Sequence, residues 1–281
     1  MLRLWRVANA AFLMAADPAA VSRRLAPCRS FMRSSSAAAA GDSPCVLTWL
    51  DEVDSTQDET RRRIEAGQEP PIFAVAATSQ TAGRGTRGRV WLGAPGNVFL
   101  TLALPMGSVP VSLTLLPLQI GVIIAKSVQD RLDSPLPVSV KWPNDVLIGD
   151  DKVAGVLIEG DGTSLLIGIG INVGYAPEVP TSGPQRGRTA TSMGSHGGDT
   201  SSEAVQDLTA CLANEIATWS TRPDTAERLL SDWTSWCDWS KPLKLREEGT
   251  TVTPLAIEPD GQLRIRAEDG TIRTLAAEYL Y

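Results

Sequence analysis

From residue 46 onward the chain consists largely of short apolar runs separated by polar turns, and this pattern predicts several β-strands. The runs are rich in β-branched residues and are bounded by Gly, Pro, Asp and Asn, which are typical of turns. In chain order they read VLTWL, IFAVAATSQ, VFLTLALP, VSVKWPND, VLIG, KVAGVLIEG and SLLIGIGINV. Turns such as GDD and GDG separate the last of these runs, so we expect those strands to pair as hairpins.

Four segments have the pattern of helices. The first, DSTQDETRRRIEAG, begins with Asp54 or Ser55 as its cap and ends at Gly67. Residues 115–132 are apolar on most sides at first and polar later, which predicts a core helix. Two more helices are predicted at about 203–220 and 223–237. Residues 176–202 are crowded with Pro, Gly, Ser and Thr and predict an exposed loop.

The character of the chain changes after Trp239. Four strand-like runs follow, PLKLREE, TVTPLAIEP, GQLRIRAED and TIRTLAAEY, and tight turns such as EPDG and AEDG connect them. Short strands joined in this way predict a small β-barrel at the end of the chain. Strands and helices together place the chain in the α+β class.

Composition excludes several classes of protein. The chain has 281 residues, of which 43% are hydrophobic and 21% charged, as in an ordinary soluble globular protein. No apolar run reaches the ~18 residues that a membrane span needs. The four cysteines form no CxxC pair and are expected to be reduced thiols. A single histidine, His196, argues against a Ser-His-Asp triad and a multi-histidine zinc site.

Residues 1–45 differ from the rest of the chain in charge. They contain six arginines and two acids, a net charge of +4, whereas the whole chain carries −6 and the remainder therefore −10. They are also rich in Ala and Ser, which is typical of an organellar transit peptide, with a disordered tail as the alternative. We expect a mitochondrial or plastid location, with a cytoplasmic form if translation begins at Met14 or Met32. The acidic remainder argues against a nucleic-acid footprint.

The segment at 78–97, TSQTAGRGTRGRVWLGAPGN, is the first candidate for chemistry, and we name it the Gly/Arg loop. Three glycines alternate with three arginines there: Gly83, Gly85, Gly88, Arg84, Arg87 and Arg89. Glycines allow close approach of a ligand to the backbone, and arginine matches phosphate and carboxylate oxygens. The loop also fits the dinucleotide fingerprint GxGxxG by letter, but a strand rather than a helix follows it. We therefore interpret it as a cationic clamp for an anionic ligand.

Two further segments carry polar residues at strand ends. KWPND ends in Asn144 and Asp145, and Lys152 follows seven residues after Asp145 across a predicted hairpin. A carboxylate and an ammonium group beside an arginine loop suit reactions between two anions. The third segment, GIGINV, places Asn172 at the end of an apolar strand, where a buried amide must be hydrogen-bonded.

Together these segments resemble the biotin protein ligases, also called holocarboxylase synthetases. The resemblance covers residues 47–281, and its motifs occur in family order: Asp54-Ser55-Thr56, TSQTAGRGTRGRVW, GNVFLTLALP, KWPND, DDKVAGVLIE, GIGINV and Ala190-Thr191-Ser192. It implies a mixed, mainly antiparallel sheet flanked by helices at 46–239, as in the class II synthetases and lipoate ligases. It also implies an SH3-like barrel at 240–281 and a form without an N-terminal DNA-binding domain.

The resemblance implies a two-step reaction in which biotin and ATP give biotinyl-5'-AMP, with Mg²⁺ on the phosphates. The biotinyl group then passes to a lysine of the biotin carboxyl carrier domain of a carboxylase. No nucleic acid or membrane partner is expected, and a homodimer is compatible with the family.

Site residues carry over by position. The catalytic set is Arg84, Asp145 and Lys152. The biotin-binding set is Ser55, Thr56, Gln57, Gln80, Gly83, Arg84, Gly85, Thr86, Trp91, Lys152 and Gly155. The ATP-binding set is Arg84, Arg87, Arg89, Asn144, Asp145, Lys152 and Asn172. No protein metal ligand is assigned, because Mg²⁺ is expected to be carried with ATP.

Two positions depart from the family pattern. Gln57 stands where an Asn usually follows Ser-Thr, and Thr86 stands where many members have a second loop arginine. In the family this loop covers the biotinyl-AMP intermediate. Thr86 therefore predicts faster release of the intermediate, unless Arg87 turns inward instead.

Three alternatives to a biotin ligase remain. A lipoate protein ligase has the same fold, but KWPND with KVAG favours biotin. A biotin-responsive repressor would carry a helix-turn-helix segment ahead of the catalytic domain, where this sequence has the Arg/Ala/Ser-rich residues 1–45. A catalytically inactive scaffold is disfavoured by the presence of Arg84, Asp145 and Lys152.

Overall fold

A seven-stranded mixed sheet forms the centre of the structure, a computed structural model that describes residues 44–67, 69–179, 188–245 and 249–277. Its strands are β1 (Val46–Val53), β2 (Phe73–Gln80), β3 (Val98–Pro105), β4 (Val138–Lys141), β5 (Asp145–Ile148), β6 (Asp151–Gly160) and β7 (Ser164–Ile171). They lie in the order β1-β2-β3-β7-β6-β5-β4. Only the β1–β2 pair is parallel among them, so the predicted mixed, mainly antiparallel sheet is confirmed.

Helices cover both faces of this sheet. They are α1 (Thr56–Ala66), α2 (Leu116–Gln129), α3 (Ser202–Ser220) and α4 (Ala226–Trp236). On one face, Phe73 and Val75 of β2 pack with Ile64 of α1. The alternate residues Ala74 and Ala76 belong to the larger core on the other face, where α2, α3 and α4 lie. Strand alternation therefore determines which residues meet α1 and which meet the main core.

The predicted ends of the first helix are confirmed. Ser55 is the N-cap residue, and the backbone N–H of Gly67 donates to the Ile64 carbonyl at 3.0 Å. Gly67 has a φ of 66°, a left-handed conformation that glycine adopts without a side-chain penalty. The core helix is shorter than predicted at both ends, since it begins after a 3₁₀ turn at Leu113–Leu115 and ends at Gln129. The last helix begins at residue 226 because Thr225 caps it, accepting from the Arg228 N–H at 3.2 Å.

The C-terminal segment forms a second, antiparallel sheet. Its strands are β8 (Leu243–Lys244), β9 (Thr251–Ile257), β10 (Leu263–Arg266) and β11 (Ile272–Leu275), in the order β11-β10-β9-β8. Four strands were predicted here, and closure into an SH3-like barrel stays a prediction. The sheet packs on the main core through Trp142, whose indole Nε1 donates to the Gly261 carbonyl at 3.0 Å.

The described residues all belong to one compact unit that spans 40–281. Almost all of the predicted leader at 1–45 lies outside the described residues. Within the described ranges, no helix is long and apolar enough to cross a membrane.

Candidate active site

A cavity of about 290 Å³ lies on the face of the main sheet that α1 covers. The start of α1, the Gly/Arg loop and strands β5, β6 and β7 enclose it. Most of the predicted site residues line it: Ser55, Thr56, Gln57, Gln80, Arg84, Gly85, Thr86, Arg89, Trp91, Asn144, Asp145, Lys152, Gly155 and Asn172. Two predicted residues, Gly83 and Arg87, are not among its lining. Residues far apart in sequence therefore meet at one cavity.

One end of the cavity is lined by buried neutral polar side chains. Gln80 Oε1 accepts hydrogen bonds from the Thr56 backbone N–H at 2.7 Å and from the Thr56 hydroxyl at 3.1 Å. The Thr56 hydroxyl also lies 2.9 Å from that of Thr101. The Gln80 side chain is thereby fixed against the first turn of α1. Such an end can hold an uncharged polar group of a ligand without a net charge nearby.

Ser55 departs from the usual behaviour of a helix cap. An N-cap serine normally accepts a hydrogen bond from the helix backbone. The Ser55 hydroxyl makes no such bond, although the side chain is only 2% exposed and lines the cavity. Instead, Asp54 accepts from the Ser55 backbone N–H at 2.7 Å. The Ser55 hydroxyl is therefore placed to bond with a ligand in the cavity and not with the backbone of α1.

Three glycines form the floor of the cavity: Gly155, Gly168 and Gly170. A Cβ atom at Gly168 would lie 2.1 Å from Gln57 Oε1, and one at Gly170 would lie 2.4 Å from the Trp91 ring. One at Gly155 would lie 2.9 Å from Lys152 Nζ. Cβ atoms do not approach other heavy atoms this closely, so the functional side chains occupy space that only glycine leaves.

Gly168 and Gly170 were missed as site residues in the sequence. They come from the run IGIGI, in which glycines alternate with Ile167, Ile169 and Ile171. The isoleucines are buried in the main core. Because side chains alternate along a strand, the glycines necessarily face the cavity. This alternation is a signal that could have identified them.

The other end of the cavity is charged. Lys152 Nζ lies 2.5 Å from Asp145 Oδ1 and 5.2 Å from the centre of the Trp91 ring. Burial alone would raise the pKa of Asp145, but the charges of Lys152 and Lys141 outweigh it and hold the pKa below its ordinary value. Burial lowers the pKa of Lys141, partly offset by Asp145. Asp145 is therefore a stable carboxylate at neutral pH.

The two predicted asparagines fix the backbone at this end. Asn144 Nδ2 donates to the Val156 carbonyl at 2.7 Å, and Asn172 Nδ2 donates to the Thr191 carbonyl at 3.0 Å. The backbone of Lys152 also bonds to residues 189 and 191, at 2.9 Å in both cases. The segment at 189–191 thus runs beside β6 and holds Lys152 in place.

Arg84 of the loop is paired with carboxylates. Its guanidinium donates to Asp58 and lies 3.3 Å from Glu159, and the hydrogen bond to Asp58 raises the pKa of Arg84. Arg61 contacts the same two carboxylates, at 3.1 Å and 2.9 Å. An anionic ligand that binds Arg84 must therefore compete with Asp58 and Glu159.

Arg87 and Arg89 take different directions from the loop. Arg87 has a φ of 60° in the short turn Thr86–Gly88 and is exposed. Arg89 turns back toward the cavity, where Nη2 donates to the Thr86 hydroxyl at 2.8 Å and Nε to the Thr86 carbonyl at 3.2 Å. The inward arginine is thus Arg89 and not Arg87, which was the expected substitute for the missing loop arginine.

Other lining residues were not predicted. They are Val90, Leu92, Val156, Leu157, Gly168, Ile169, Gly170, Pro177, Glu178, Val179, Arg188 and Ala190. Several of them follow β7 in the segment at 176–202, which was interpreted only as an exposed loop. Loops have no periodic pattern from which a side-chain direction could be read.

The Trp91 indole carries a buried hydrogen-bond donor that is left unsatisfied within the described part of the chain. Its Nε1 is buried and has no hydrogen-bond partner among the described residues. Trp91 lies over Gly155 and Gly170, next to Lys152. The cavity thus combines neutral hydrogen-bonding groups, an aromatic ring and a cationic end. These features define a site for a ligand that has both a neutral polar part and anionic groups.

Comparison with known proteins agrees with this description. Residues 49–175 match the model of the biotin/lipoate A/B protein ligase family. The chain is 34% identical over 161 residues to a biotin–[acetyl-CoA-carboxylase] ligase of Paracoccus denitrificans, covering 54% of this chain and 64% of that protein. It is 29% identical over 251 residues to the bifunctional ligase/repressor BirA of Bacillus subtilis, covering 83% of this chain and 73% of that protein.

Solved structures give the same result and match nearly their whole length. The biotin protein ligase of Leishmania major in complex with biotin is 31% identical, with a TM-score of 0.58, and the match covers 83% of this chain and 98% of that one. The ligase of Aquifex aeolicus in complex with biotin and ATP is 29% identical, with a TM-score of 0.66 and coverage of 83% and 97%. The chain belongs to the biotin protein ligase family.

Proposed function

We propose that this protein is an ATP-dependent ligase that activates biotin to biotinyl-5'-AMP and transfers it to a lysine of a biotin carboxyl carrier domain. One observation supports this most directly. A single cavity joins the neutral end at Ser55, Thr56 and Gln80 to the charged end at Asp145 and Lys152. The ureido ring of biotin is neutral and polar, whereas its carboxylate and the phosphates of ATP are anionic.

In the first step, the biotin carboxylate oxygen attacks the α-phosphorus of ATP, and the bond to pyrophosphate breaks. Both reactants are anions, so the main barrier is electrostatic. Lys152 lies beside Asp145 at the charged end of the cavity, where it can offset the charge that develops on the α-phosphate. Arg84 can add a second cation once the ligand displaces Asp58 and Glu159.

Mg²⁺ fits this site as an ion that arrives with ATP. Among the described residues, no group of three or more His, Cys, Asp or Glu side chains could hold a metal ion. The carboxylates in the described cavity lining are Asp145 and Glu178, and Asp145 already contacts Lys152. Mg²⁺ usually binds through one or two carboxylates together with substrate phosphates. When bound, it would neutralise part of the phosphate charge.

In the second step, the carrier lysine attacks the acyl carbon of biotinyl-AMP, and AMP leaves. A free lysine has a pKa of about 10.4 and must lose a proton to react. An efficient general base has a pKa near the working pH. Because the pKa of Asp145 lies below its ordinary value, its carboxylate is a poor proton acceptor at neutral pH. We infer that Asp145 orients the carrier lysine and is not the base, so that the lysine loses its proton to solvent water before the neutral amine attacks.

A transfer assay tests the proposed function. The full chain is incubated with ATP, Mg²⁺ and a carrier domain, with biotin or lipoate as the acyl acid, and the mass of the carrier is measured. We expect a mass increase of one biotinyl group and none with lipoate. Transfer of lipoate in preference to biotin would contradict the proposal.

Residues 1–45 are proposed as an organellar address, on the basis of their composition alone. Fusion of these residues to a fluorescent reporter should direct it to mitochondria or plastids. A reporter that stays diffuse in the cytoplasm would contradict the targeting role.

A homodimer is likewise proposed only from family membership, and light scattering of the purified protein measures it directly.

A further inference from the structure

We propose that Thr86 is a positioning residue that holds Arg89 in the cavity, so that Arg89 contacts the phosphates of ATP. This inference rests on the proposed function. Thr86 is 9% exposed and accepts two hydrogen bonds from the Arg89 side chain, one at its hydroxyl and one at its carbonyl. The two bonds hold the planar guanidinium group at both Nε and Nη2.

The backbone between the two residues supports this arrangement. The Gly85 N–H donates to the Arg89 carbonyl at 2.7 Å, and the Arg89 N–H lies 3.4 Å from the Thr86 carbonyl. Arg87 and Gly88, at the tip between them, have φ values of 60° and 68°. The turn therefore directs Arg87 outward and returns Arg89 toward Thr86. Arg89 is part of the cavity lining and Arg87 is not.

The partners of Arg89 leave its charge available. Arg84 is paired with two carboxylates, Asp58 and Glu159. Arg89 is held by a hydroxyl and a carbonyl, both uncharged, and forms no ion pair that the structure shows within its described part. An arginine has five N–H donors, so about three remain for a ligand. A guanidinium fixed by neutral groups is suited to a phosphate.

The location of Arg89 identifies the part of the ligand that it meets. Arg89 lines the same cavity as Asp145 and Lys152, and its positive charge is the smallest of the named influences on the pKa values of Asp145 and Lys141. Arg84 points instead to Asp58 on α1 and Glu159 on β6. The two inward arginines of the loop thus serve opposite sides of the cavity. Thr86 supplies the hydroxyl that only one of them uses.

The experiment measures biotin-dependent ATP–pyrophosphate exchange by the full chain and its variants Thr86→Val, Thr86→Ser, Arg89→Gln and the double variant Thr86→Val/Arg89→Gln. Valine keeps the shape of threonine but removes the hydroxyl, whereas serine keeps the hydroxyl. We expect Thr86→Val and Arg89→Gln each to raise the KM for ATP about tenfold, the effect of losing one hydrogen bond to a charged group. The KM for biotin should change less than about twofold, and Thr86→Ser should resemble the wild type.

The double variant separates positioning from a general structural role. If Thr86 acts through Arg89, Thr86→Val adds no further increase to the KM for ATP in the Arg89→Gln background. An additional tenfold increase, or an equal rise in the KM values of biotin and ATP, would overturn the inference. A wild-type KM for ATP in Thr86→Val would overturn it as well. Absence of exchange in the wild type, by contrast, would contradict the proposed function itself.

Discussion

The glycine floor and the Gly/Arg loop enclose the same cavity by different physical means. The floor belongs to β6 and β7, whose backbones pair directly at Gly155 and Gly170. The loop has only the short turn Thr86–Gly88 and a few hydrogen bonds of its own. The floor therefore sets the shape of the cavity, and the loop sets where its positive charge lies. At Thr86, which departs from the family pattern, the loop holds Arg89 through the hydroxyl and the carbonyl of the threonine.

The largest expected effect is at the charged end, where floor and loop meet. Lys152→Ala should lower biotin-dependent pyrophosphate exchange about a hundredfold or more, because it removes a cation from the transition state of adenylation. The control is Lys126→Ala, since Lys126 forms a partly exposed pair with Asp232 at 3.0 Å outside the cavity. Near-normal exchange by folded Lys152→Ala would show that the loop alone supplies the charge.

The next effect tests whether the floor must lack side chains. Gly170→Ala places a Cβ 2.4 Å from the Trp91 ring, so the indole must leave the floor. We expect the Kd for biotin, measured by calorimetry, to rise about tenfold or more, the size of a change of 1.4 kcal/mol.

Gly107→Ala is the matched control for the floor, because no heavy atom lies within 4 Å of a Cβ there. If Gly170→Ala binds biotin as tightly as Gly107→Ala does, Trp91 is not held by the floor. The proposed difference between floor and loop would then have to be abandoned.

A smaller effect is expected at the neutral end. Ser55→Ala removes a hydroxyl that does not cap its own helix, so it should weaken biotin binding about fivefold with little loss of stability. Ser201→Ala is the opposite case, because the Ser201 hydroxyl accepts from the Ala204 N–H at 3.2 Å. That variant should lose about 1 kcal/mol of stability and bind biotin normally. Thermal unfolding with calorimetry measures both, and the reverse result would refute the ligand role of Ser55.

The smallest effect concerns the loop position that departs from the family. Thr86→Arg introduces a guanidinium but removes the hydroxyl that holds Arg89. The new guanidinium should strengthen binding of biotinyl-AMP about as much as the loss of the Arg89 contact weakens it. The dissociation rate of biotinyl-AMP should therefore stay within about threefold of the wild type. Release slowed tenfold or more would show that Arg89 does not replace the missing arginine.

Much of this structure could be predicted from local sequence. The continuous apolar runs of β2 and β3, the turns between β5, β6 and β7, and Gly67 at the end of α1 each depend on neighbouring residues, so the pattern determined them. Most of the cavity lining was predicted by position from the family resemblance, whereas residue types alone indicated only an anion clamp in the Gly/Arg loop and a charged pair at Asp145 and Lys152. The resemblance to biotin protein ligases was carried by the same motifs.

Tertiary structure alone decided how those residues are used. Arg84, Arg87 and Arg89 are alike in sequence, yet one pairs with Asp58 and Glu159, one points outward and one binds Thr86. A loop has no periodicity, so the direction of each side chain depends on partners that other elements bring near. For the same reason, the sequence did not show that Ser55 leaves its helix uncapped or that 189–191 holds Lys152. Local patterns determine elements, and contacts across the fold determine which groups remain for a ligand.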